Sequence, residues 1–294
     1  MSGYTSPAIA DIDGRFIDCN FENEAADGGF SLGCNPMTDD DRNRLFGAGG
    51  VTDFPASELI PESQWDDYIK RQDVLGGWLE RRLKHIRNQG SEGSCVANGS
   101  ETAKEIAEAM AWGDDQVRRG SAISVYRECA PGPGTGSNVG DVMRQEIDVG
   151  SIPSNKCPVA AKDVAAGYYK YTHPDTGYSV RPPADWKTDT AKFFRVDEWW
   201  RLPNLQSIFS ASFKGGGVVG ARSRHCICFV RWFLKNGKRV FCYVNSWSDT
   251  WGESLEISTG PTKGFGFDSQ STVASWAGRE AWCPRTIVKP SWLK

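Results

Sequence analysis

Apolar residues recur at helical spacing in the first half of the chain. Over residues 54–89, large apolar side chains return at steps of three and four positions, the pattern of one helix face, and Gly76-Gly77 interrupts this pattern. A second amphipathic pattern begins at Cys95, where Ser94 is a good N-cap residue and Gly113 can end the helix. A shorter helix is predicted over residues 139–149. These patterns place the helices in the first half of the fold.

The pattern changes to that of β-strands from Val218 onward. Two β-prone runs, residues 226–233 and 238–244, flank an Asn-Gly dipeptide that favours a tight hairpin turn. Residues 1–52, by contrast, are rich in glycine, aspartate and asparagine and show little periodicity. We predict that this stretch forms an N-terminal arm, which lies on the domain or on a partner.

Composition and charge argue against several functions. The chain has 34 basic and 37 acidic residues, so its net charge of −3 creates no overall field that would attract nucleic acid or an anionic membrane. No apolar run approaches the ~18 residues of a membrane-spanning helix. With only three histidines and no Cys-x-x-Cys pair, a metal site is not expected, and neither is a cofactor.

The cysteines indicate a reducing environment. Their number, nine, is odd and low for a chain of 294 residues, which argues against a disulfide framework. The first residues carry no basic stretch followed by an apolar one, so no secretory signal is predicted. We therefore expect a protein that is cytoplasmic and not secreted by a signal peptide; a location within a virus particle is the expectation of the alternative hypothesis given below.

Four polar residues form the candidate chemistry. Cys95 begins a helix, whose partial positive charge at the N-terminus lowers a thiol pKa and favours the nucleophilic thiolate. His225, which precedes a strand, can exchange protons with the thiol, and Asn245 can orient its ring. Gln89 can donate a hydrogen bond to a developing oxyanion. Taken singly, these residues also have ordinary structural explanations, such as a buried thiol, a loop histidine or a strand-ending asparagine.

The spacing of these residues matches that of a known family. His225 and Asn245 follow Cys95 by 130 and 150 residues (225 − 95 and 245 − 95), within the interval of about 130–150 residues that papain and the cathepsins show. The matching segments are Gln89-Gly90-x-x-Gly93-Ser94-Cys95, His225 with the β-run after it, and Asn245-Ser246-Trp247-x-x-x-Trp251-Gly252-Glu253. The chain thus resembles the papain-like cysteine peptidases over about residues 60–260, in a form similar to divergent microbial and viral members.

The resemblance implies an α+β fold, in which a helical half carrying the Cys95 helix packs against an antiparallel β-rich half. The expected boundaries are an N-terminal arm at residues 1–55 and a papain-like domain at residues 56–294. Within the domain we expect the helical half at about 56–150, the β-rich half at about 151–260, and a C-terminal extension at 261–294.

The resemblance also implies catalytic roles. Cys95 would be the nucleophile, His225 the acid and base, and Asn245 the residue that orients the imidazole. The Gln89 side chain would form the oxyanion hole together with the backbone N–H of Cys95.

Three further residues are the expected substrate-binding positions. Gly134 and Gly136 would let an extended substrate backbone approach closely, although glycines in a loop also serve ordinary turns. Trp247 would cover the hydrogen bond between His225 and Asn245 and exclude water from it.

The chain departs from the family at several places. Glu92 stands where secreted relatives usually have a disulfide cysteine, Val96 replaces the usual tryptophan after the nucleophile, and Cys226 replaces a small residue after the histidine. The N-terminal 55–60 residues lack the pattern of the long helical inhibitory segment of the secreted enzymes. These differences bear on activation and specificity more than on chemistry.

The preferred hypothesis is a thiol-dependent peptidase that hydrolyses peptide bonds through an acyl-enzyme on Cys95. Its expected partners are peptide or protein substrates, and neither nucleic acid nor a membrane. The alternative is a non-catalytic structural or binding protein with a papain-like fold, such as a component of a virus particle. In that case the arm would bind particle or oligomer partners, and residues 1–55 or a neighbouring subunit would cover Cys95.

Overall fold

The computed structural model describes residues 16–47, 49–117, 119–132, 134–151, 195–277 and 280–288. Three sequence predictions fall partly outside these ranges, namely residues 1–15 of the arm, residues 152–194 of the β-rich half, and residues 278–279 and 289–294 of the C-terminal extension. Helices and a largely antiparallel sheet pack together in the described residues, so the α+β prediction is confirmed.

The N-terminal arm forms regular structure. Helix α1 (Phe21–Gly28) begins after Asn20, whose side chain accepts two backbone N–H groups of the first turn. It ends at Gly29, which adopts the left-handed conformation (φ 68°) that glycine tolerates best. We call residues 16–47 the covering segment. Beyond α1, the arm contains strand β1 (Cys34–Asn35), helix α2 (Asp39–Gly47) and strand β2 (Val51–Asp53).

The stretch 54–89, predicted as helical, is helical only in short pieces. It contains helices α3 (Trp65–Lys70) and α4 (Gln72–Leu75), together with single turns of 3₁₀-helix at Ala56–Glu58, Glu62–Gln64 and Leu79–Arg82. Gly76, at φ 79°, ends α4, and a proline precedes each of the first two turns. The apolar spacing therefore marks a buried face, but glycine and proline interrupt the helix.

The central helix of the helical half is α5 (Cys95–Trp112), which begins at the predicted residue. Helix α6 (Ala122–Cys129) packs beside it, as does α7 (Val139–Asp148), which follows strand β3 (Ser137–Asn138). Even charged residues of α5 are buried, and Lys104 pairs with Glu101 at 2.5 Å and with Glu146 at 2.8 Å. Neither α5 nor any other described helix has the length and apolar content that a membrane span requires.

The second half of the chain supplies strands β4 (Val196–Arg201), β5 (Val218–Arg222), β6 (His225–Lys235), β7 (Lys238–Val244), β8 (Glu253–Ile257), β9 (Gly260–Ser269) and β10 (Ala281–Ile287). Eight of the described strands form one sheet in the order β2-β4-β10-β5-β6-β7-β9-β8, and every neighbouring pair is antiparallel except β2 with β4. The predicted hairpin joins β6 to β7 at Asn236-Gly237, where both residues have positive φ (50° and 73°).

The sheet separates two apolar cores. Along β6, Cys226 and Cys228 face α5, whereas Ile227 and Phe229 face helix α8 (Leu205–Lys214), as the two-residue period of a strand requires. Helix α9 (Gln270–Trp276) packs against β7 and β9. The residues expected as a C-terminal extension thus contribute α9, β10 and most of β9 to the body of the fold.

Candidate active site

Cys95 lies at the first position of α5, buried beneath the covering segment. Burial raises the pKa of the thiol to about 11, although the backbone N–H groups of Cys226, in β6, and of Gly33, in the covering segment, act to lower it. The thiol is therefore protonated at neutral pH in this arrangement. Ser94 holds the predicted N-cap position without capping, because its hydroxyl and carbonyl oxygens accept from the Asn98 side chain.

His225 is oriented by Asn245. Its Nε2 lies 2.8 Å from Asn245 Oδ1, and the same oxygen accepts the Ser246 N–H at 2.8 Å. Because Oδ1 is an acceptor in both contacts, Nε2 must carry the proton, and Nδ1 is left with a lone pair. Nδ1 is buried and has no hydrogen-bond partner within the described residues. The ring is therefore in the tautomer that can accept a proton at Nδ1.

Aromatic rings enclose the imidazole. Trp247 stacks on His225 at 4.5 Å between ring centroids, and Phe21 of the covering segment meets it edge-on at 4.7 Å. Phe30, also in the covering segment, stacks on Trp247 at 5.1 Å with an interplanar angle of 3°. Burial lowers the pKa of His225 to about 3, so the imidazole is neutral. Trp247 thus shields the bond between His225 and Asn245.

Gln89 is anchored by Ser246, the residue after Asn245. The Gln89 backbone N–H donates to the Ser246 carbonyl at 2.8 Å, and its side-chain oxygen accepts the Ser246 hydroxyl at 2.5 Å. These two bonds fix the amide so that its Nε2 donates to the carbonyls of Glu92 at 2.7 Å and Ser31 at 2.9 Å. Ser31 belongs to the covering segment, so the predicted oxyanion donor already binds a peptide carbonyl.

An extended stretch of the covering segment, residues 31–35, lies in the groove between the helical half and the sheet. The Cys34 N–H donates to the Arg224 carbonyl at 2.8 Å, and the Gly33 carbonyl accepts the Ser137 N–H at 2.9 Å. Strand β1 therefore pairs with β3, in parallel orientation. The groove thus binds a peptide backbone through hydrogen bonds from both of its walls.

Gly33 lies where the neighbouring backbone leaves no room for a side chain. A Cβ on Gly33 would lie less than 3.0 Å from three backbone atoms of Gly93, closer than Cβ atoms approach such groups in proteins. On its other side Gly33 contacts Gly136 (φ 77°), where a Cβ would lie 2.5 Å from the Gly33 carbonyl oxygen. The structure thus places Gly136 in the wall of the groove, against the backbone that occupies it.

Gly134, by contrast, is engaged with a carboxylate. Its N–H donates to Glu92, which also accepts the Tyr126 hydroxyl at 2.7 Å. The Glu92 side chain thereby ties the loop before β3 to α6 and to the turn that precedes Cys95. Gly134 holds the loop in place, and its N–H does not point freely into the groove.

Sequence reasoning missed two parts of this site. Ser246 was noticed only as a motif residue, although its hydroxyl and carbonyl position Gln89. Residues 31–35 gave no signal, because a chain that lies extended on a surface has no periodicity of its own. Within the part of the chain that the structure describes, no group of histidine, cysteine, aspartate and glutamate side chains could hold a metal ion.

The fold has counterparts among known structures. Xylellain, a cysteine protease from Xylella fastidiosa, matches with a TM-score of 0.57 at 16% identity, over 88% of this chain and 97% of that one. The protein has a papain-like fold. The digestive procathepsin L2 proteinase of Tenebrio molitor larval midgut matches this papain-like fold with a TM-score of 0.53 at 17% identity, over 90% of this chain and 88% of that one.

A third counterpart is the ragweed pollen allergen Amb a 11, a cysteine protease in its proform. It matches with a TM-score of 0.51 at 16% identity, over 70% of this chain and 62% of that one. No family model matches the sequence, and no curated protein matches it either. At these identities the structural likeness shows the papain-like fold alone.

Proposed function

We propose that the protein is a thiol-dependent peptidase, held latent by its own covering segment. The observation that carries this proposal is the 2.8 Å contact between His225 Nε2 and Asn245 Oδ1, which leaves Nδ1 as a proton acceptor. The backbone N–H of Cys226, the next residue after the histidine, acts to lower the pKa of the Cys95 thiol against the larger effect of burial, which supports placing the thiol and the imidazole in one site.

The proposed chemistry begins when the groove opens. The Cys95 thiol gives its proton to Nδ1 of His225, and the sulfur attacks the carbonyl carbon of a bound peptide. The resulting oxyanion accepts hydrogen bonds from the Gln89 amide and the Cys95 backbone N–H, a contribution of about 3–4 kcal/mol in comparable sites. The imidazolium then protonates the leaving amine, and an acyl-enzyme remains. His225 next takes a proton from water, whose oxygen attacks the thioester carbon. The C–S bond then breaks and releases the carboxylic acid product, and the imidazolium returns its proton to the sulfur.

Latency follows from what the covering segment does to each group. It buries the thiol and the imidazole, and burial holds the pKa of Cys95 at about 11 and that of His225 at about 3. Both groups are therefore neutral, and the thiolate–imidazolium pair cannot form. The segment also places the Ser31 carbonyl on the Gln89 amide, where an oxyanion would bind. When the segment leaves, water reaches Cys95 and His225 again, and the Gln89 amide is free to donate to an oxyanion.

The proposed substrate is an extended segment of a peptide or protein. The groove already holds such a backbone, whose Cys34 N–H and Gly33 carbonyl bond to the two walls. A flat aromatic surface, Trp247, lies next to the imidazole and accepts the Phe30 ring in the covered form. A substrate would therefore replace the covering segment with a similar set of backbone hydrogen bonds.

The test uses the full chain with a recognition site for a site-specific protease inserted after Gly47, where the space beside the backbone is open. Cutting there breaks the covalent link between the covering segment and the rest of the chain, so rebinding of the segment depends on protein concentration. We expect the cut protein to hydrolyse fluorogenic peptides and to react with iodoacetamide at Cys95, and the uncut protein to do both slowly. Cys95→Ala should abolish both signals, whereas the matched variant Cys242→Ala, altered within β7, should keep both.

A Cys95 that stays unreactive after the cut, with no peptide hydrolysed, would overturn the proposal and indicate a non-catalytic protein. The virus-particle component considered from the sequence has no support from the structural relatives, which are proteases. The covering segment, part of the arm that was expected to lie on the domain or on a partner, lies in the groove of its own chain.

A further inference from the structure

Arg222 is a largely buried cation that the proposed mechanism does not use. It lies directly opposite His225 in the pairing of β5 with β6. A two-residue turn joins them, Ser223-Arg224, in which both residues have positive φ (48° and 59°). Residues that face each other across an antiparallel pair carry their side chains on the same face of the sheet. The guanidinium of Arg222 therefore shares its face of the sheet with the imidazole.

Arg222 has partners in both the covering segment and the sheet. Its Nη1 and Nη2 each donate to the Cys19 carbonyl at 3.2 Å, and its Cζ lies 4.0 Å from the centroid of the Phe21 ring. Its Nε and Nη2 also donate to the two carboxylate oxygens of Asp268, in β9, at 2.9 Å and 2.7 Å. Cys19 and Phe21 leave with the covering segment. Of these contacts, the one with Asp268 is the one that remains in the open form.

The charge of Arg222 acts on the imidazole. Burial is the main cause of the lowered pKa of His225, the contact with Asn245 opposes it, and the Arg222 charge lowers the pKa further. Within the described residues, Arg222 is the charged side chain that has this effect. When the covering segment leaves, the burial decreases but the guanidinium stays. A cation beside the ring opposes the imidazolium, which the thiolate of Cys95 needs as its partner.

Asp268 supplies the compensating negative charge. Burial raises its pKa to about 6 and Arg222 opposes that effect, so the carboxylate is ionised at neutral pH. Tyr243 and Cys19 also lie near Arg222, but burial raises the pKa of each, and both are neutral. Asp18, whose charge also raises the pKa of Asp268, belongs to the covering segment and leaves with it. The pair of Arg222 and Asp268 is therefore close to neutral as a unit.

We propose that Asp268 is a positioning residue for the proposed reaction: its carboxylate holds the Arg222 guanidinium and neutralises it, so that the thiolate–imidazolium pair of Cys95 and His225 can form beside this cation. This inference rests on the proposed peptidase function and adds to it a residue that acts through the imidazole without exchanging a proton. An ion pair that merely joined β5 to β9 would stabilise the sheet and would leave the pH dependence of the reaction where it is.

The experiment measures kcat/KM and the rate of Cys95 alkylation by iodoacetamide in the cut protein described above, from about pH 4 to pH 10. Asp268→Asn keeps the shape of the side chain and an acceptor for the guanidinium, but it removes the negative charge. The uncompensated cation then favours the thiolate and disfavours the imidazolium. Both limbs of the kcat/KM profile should therefore move to lower pH by about 0.5–1 unit, and the alkylation profile should follow the acid limb.

The matched control is Glu80→Gln, which makes the same kind of change in another buried pair. Glu80 accepts from Arg231 at 2.7 Å, and Arg231 lies six positions beyond His225 along β6 (231 − 225), a rise of about 20 Å. This variant should lower the melting temperature and leave both limbs of the profile in place.

A double variant, Arg222→Gln with Asp268→Asn, leaves no unpaired charge. Its alkaline limb should lie above that of the wild type, because it is the Arg222 charge that lowers the pKa of His225. If Asp268→Asn does not fold, the double variant decides by itself, and an alkaline limb at the wild-type pH overturns the proposal.

Limbs that stay in place in Asp268→Asn, or that move equally in Glu80→Gln, would overturn the role of Asp268 while the peptidase function stands. If the cut protein alkylates at Cys95 but hydrolyses no peptide, the peptidase function fails. The acid limb of the alkylation profile then still decides the role of Asp268, since a limb that Asp268→Asn does not move contradicts it and a limb that moves to lower pH supports it.

Discussion

One added methyl group should open the groove. Gly33→Ala places a Cβ less than 3.0 Å from three backbone atoms of Gly93. These atoms cannot rotate aside as a flexible side chain would, so the covering segment must shift or leave. Gly33 is not among the glycines with positive φ, so alanine introduces no backbone strain once the segment is free. The substitution therefore destabilises the covered form and leaves the open form unaffected.

The magnitude follows from overpacking. Inserting a methyl group into a closely packed contact destabilises it by about 1–3 kcal/mol, and fixed backbone neighbours favour the upper end of that range. Because about 1.4 kcal/mol corresponds to a factor of ten, the population of the open form should rise by up to ~100-fold. The rate of Cys95 alkylation by iodoacetamide should rise in proportion if opening and closing are faster than the chemical step.

The matched control is Gly47→Ala in the same segment. Gly47 has no neighbour within 4 Å of an added Cβ and no positive φ, so its alanine variant should label at the wild-type rate. Both variants are compared with the wild type by alkylation of Cys95, mapped by mass spectrometry, and by peptide hydrolysis. Equal labelling rates in Gly33→Ala and Gly47→Ala would show that the covering segment does not limit access to Cys95.

Three further outcomes are expected. Burial lowers the pKa of His225 from 6.5 to about 3 and raises that of Cys95 from 9.0 to about 11. The covered form should therefore be most stable between about pH 6.5 and 9, and less stable as the pH falls toward 3 or rises toward 11. Labelling of Cys95, after incubation at each pH and return to neutral pH, measures this stability. Asn245→Ala should lower kcat of the cut protein by up to about 100-fold with little change in KM, since the imidazole loses its orientation; an unchanged kcat would remove Asn245 from the mechanism. Glu92→Ala should lower the free energy of unfolding by about 1–3 kcal/mol in urea titrations, and Glu92→Gln, which keeps an acceptor, should lower it less.

The elements that could be predicted are those with a local pattern. The α5 start at Cys95, the helix 139–149 and the hairpin at Asn236-Gly237 each depend on a short run of residues with a definite period or turn preference. In the stretch 54–89, the apolar spacing indicates a buried face and Gly76-Gly77 marks one interruption. The division of the rest into short turns was not predicted, because single prolines break a helix without changing the apolar spacing.

The candidate site could be predicted only as a set of residue types at suitable spacing. Cys95, His225 and Asn245 were chosen by that spacing, yet the tautomer of the imidazole depends on a contact between β6 and the end of β7. The course of residues 31–35 could not be predicted, because it is set by backbone contacts with Gly93 and Ser137 from distant parts of the chain.

The junction that Glu92 makes with Tyr126 and Gly134 has a consequence for where such a protein can work. A covalent sulfur bridge at this place would be opened by the same small-molecule thiols that keep a cysteine nucleophile from being oxidised. The hydrogen bonds that the Glu92 carboxylate accepts from the Tyr126 hydroxyl and the Gly134 N–H are not affected by such thiols. The loop geometry and the reactivity of Cys95 can therefore coexist under reducing conditions, and dithiothreitol should leave the melting temperature unchanged.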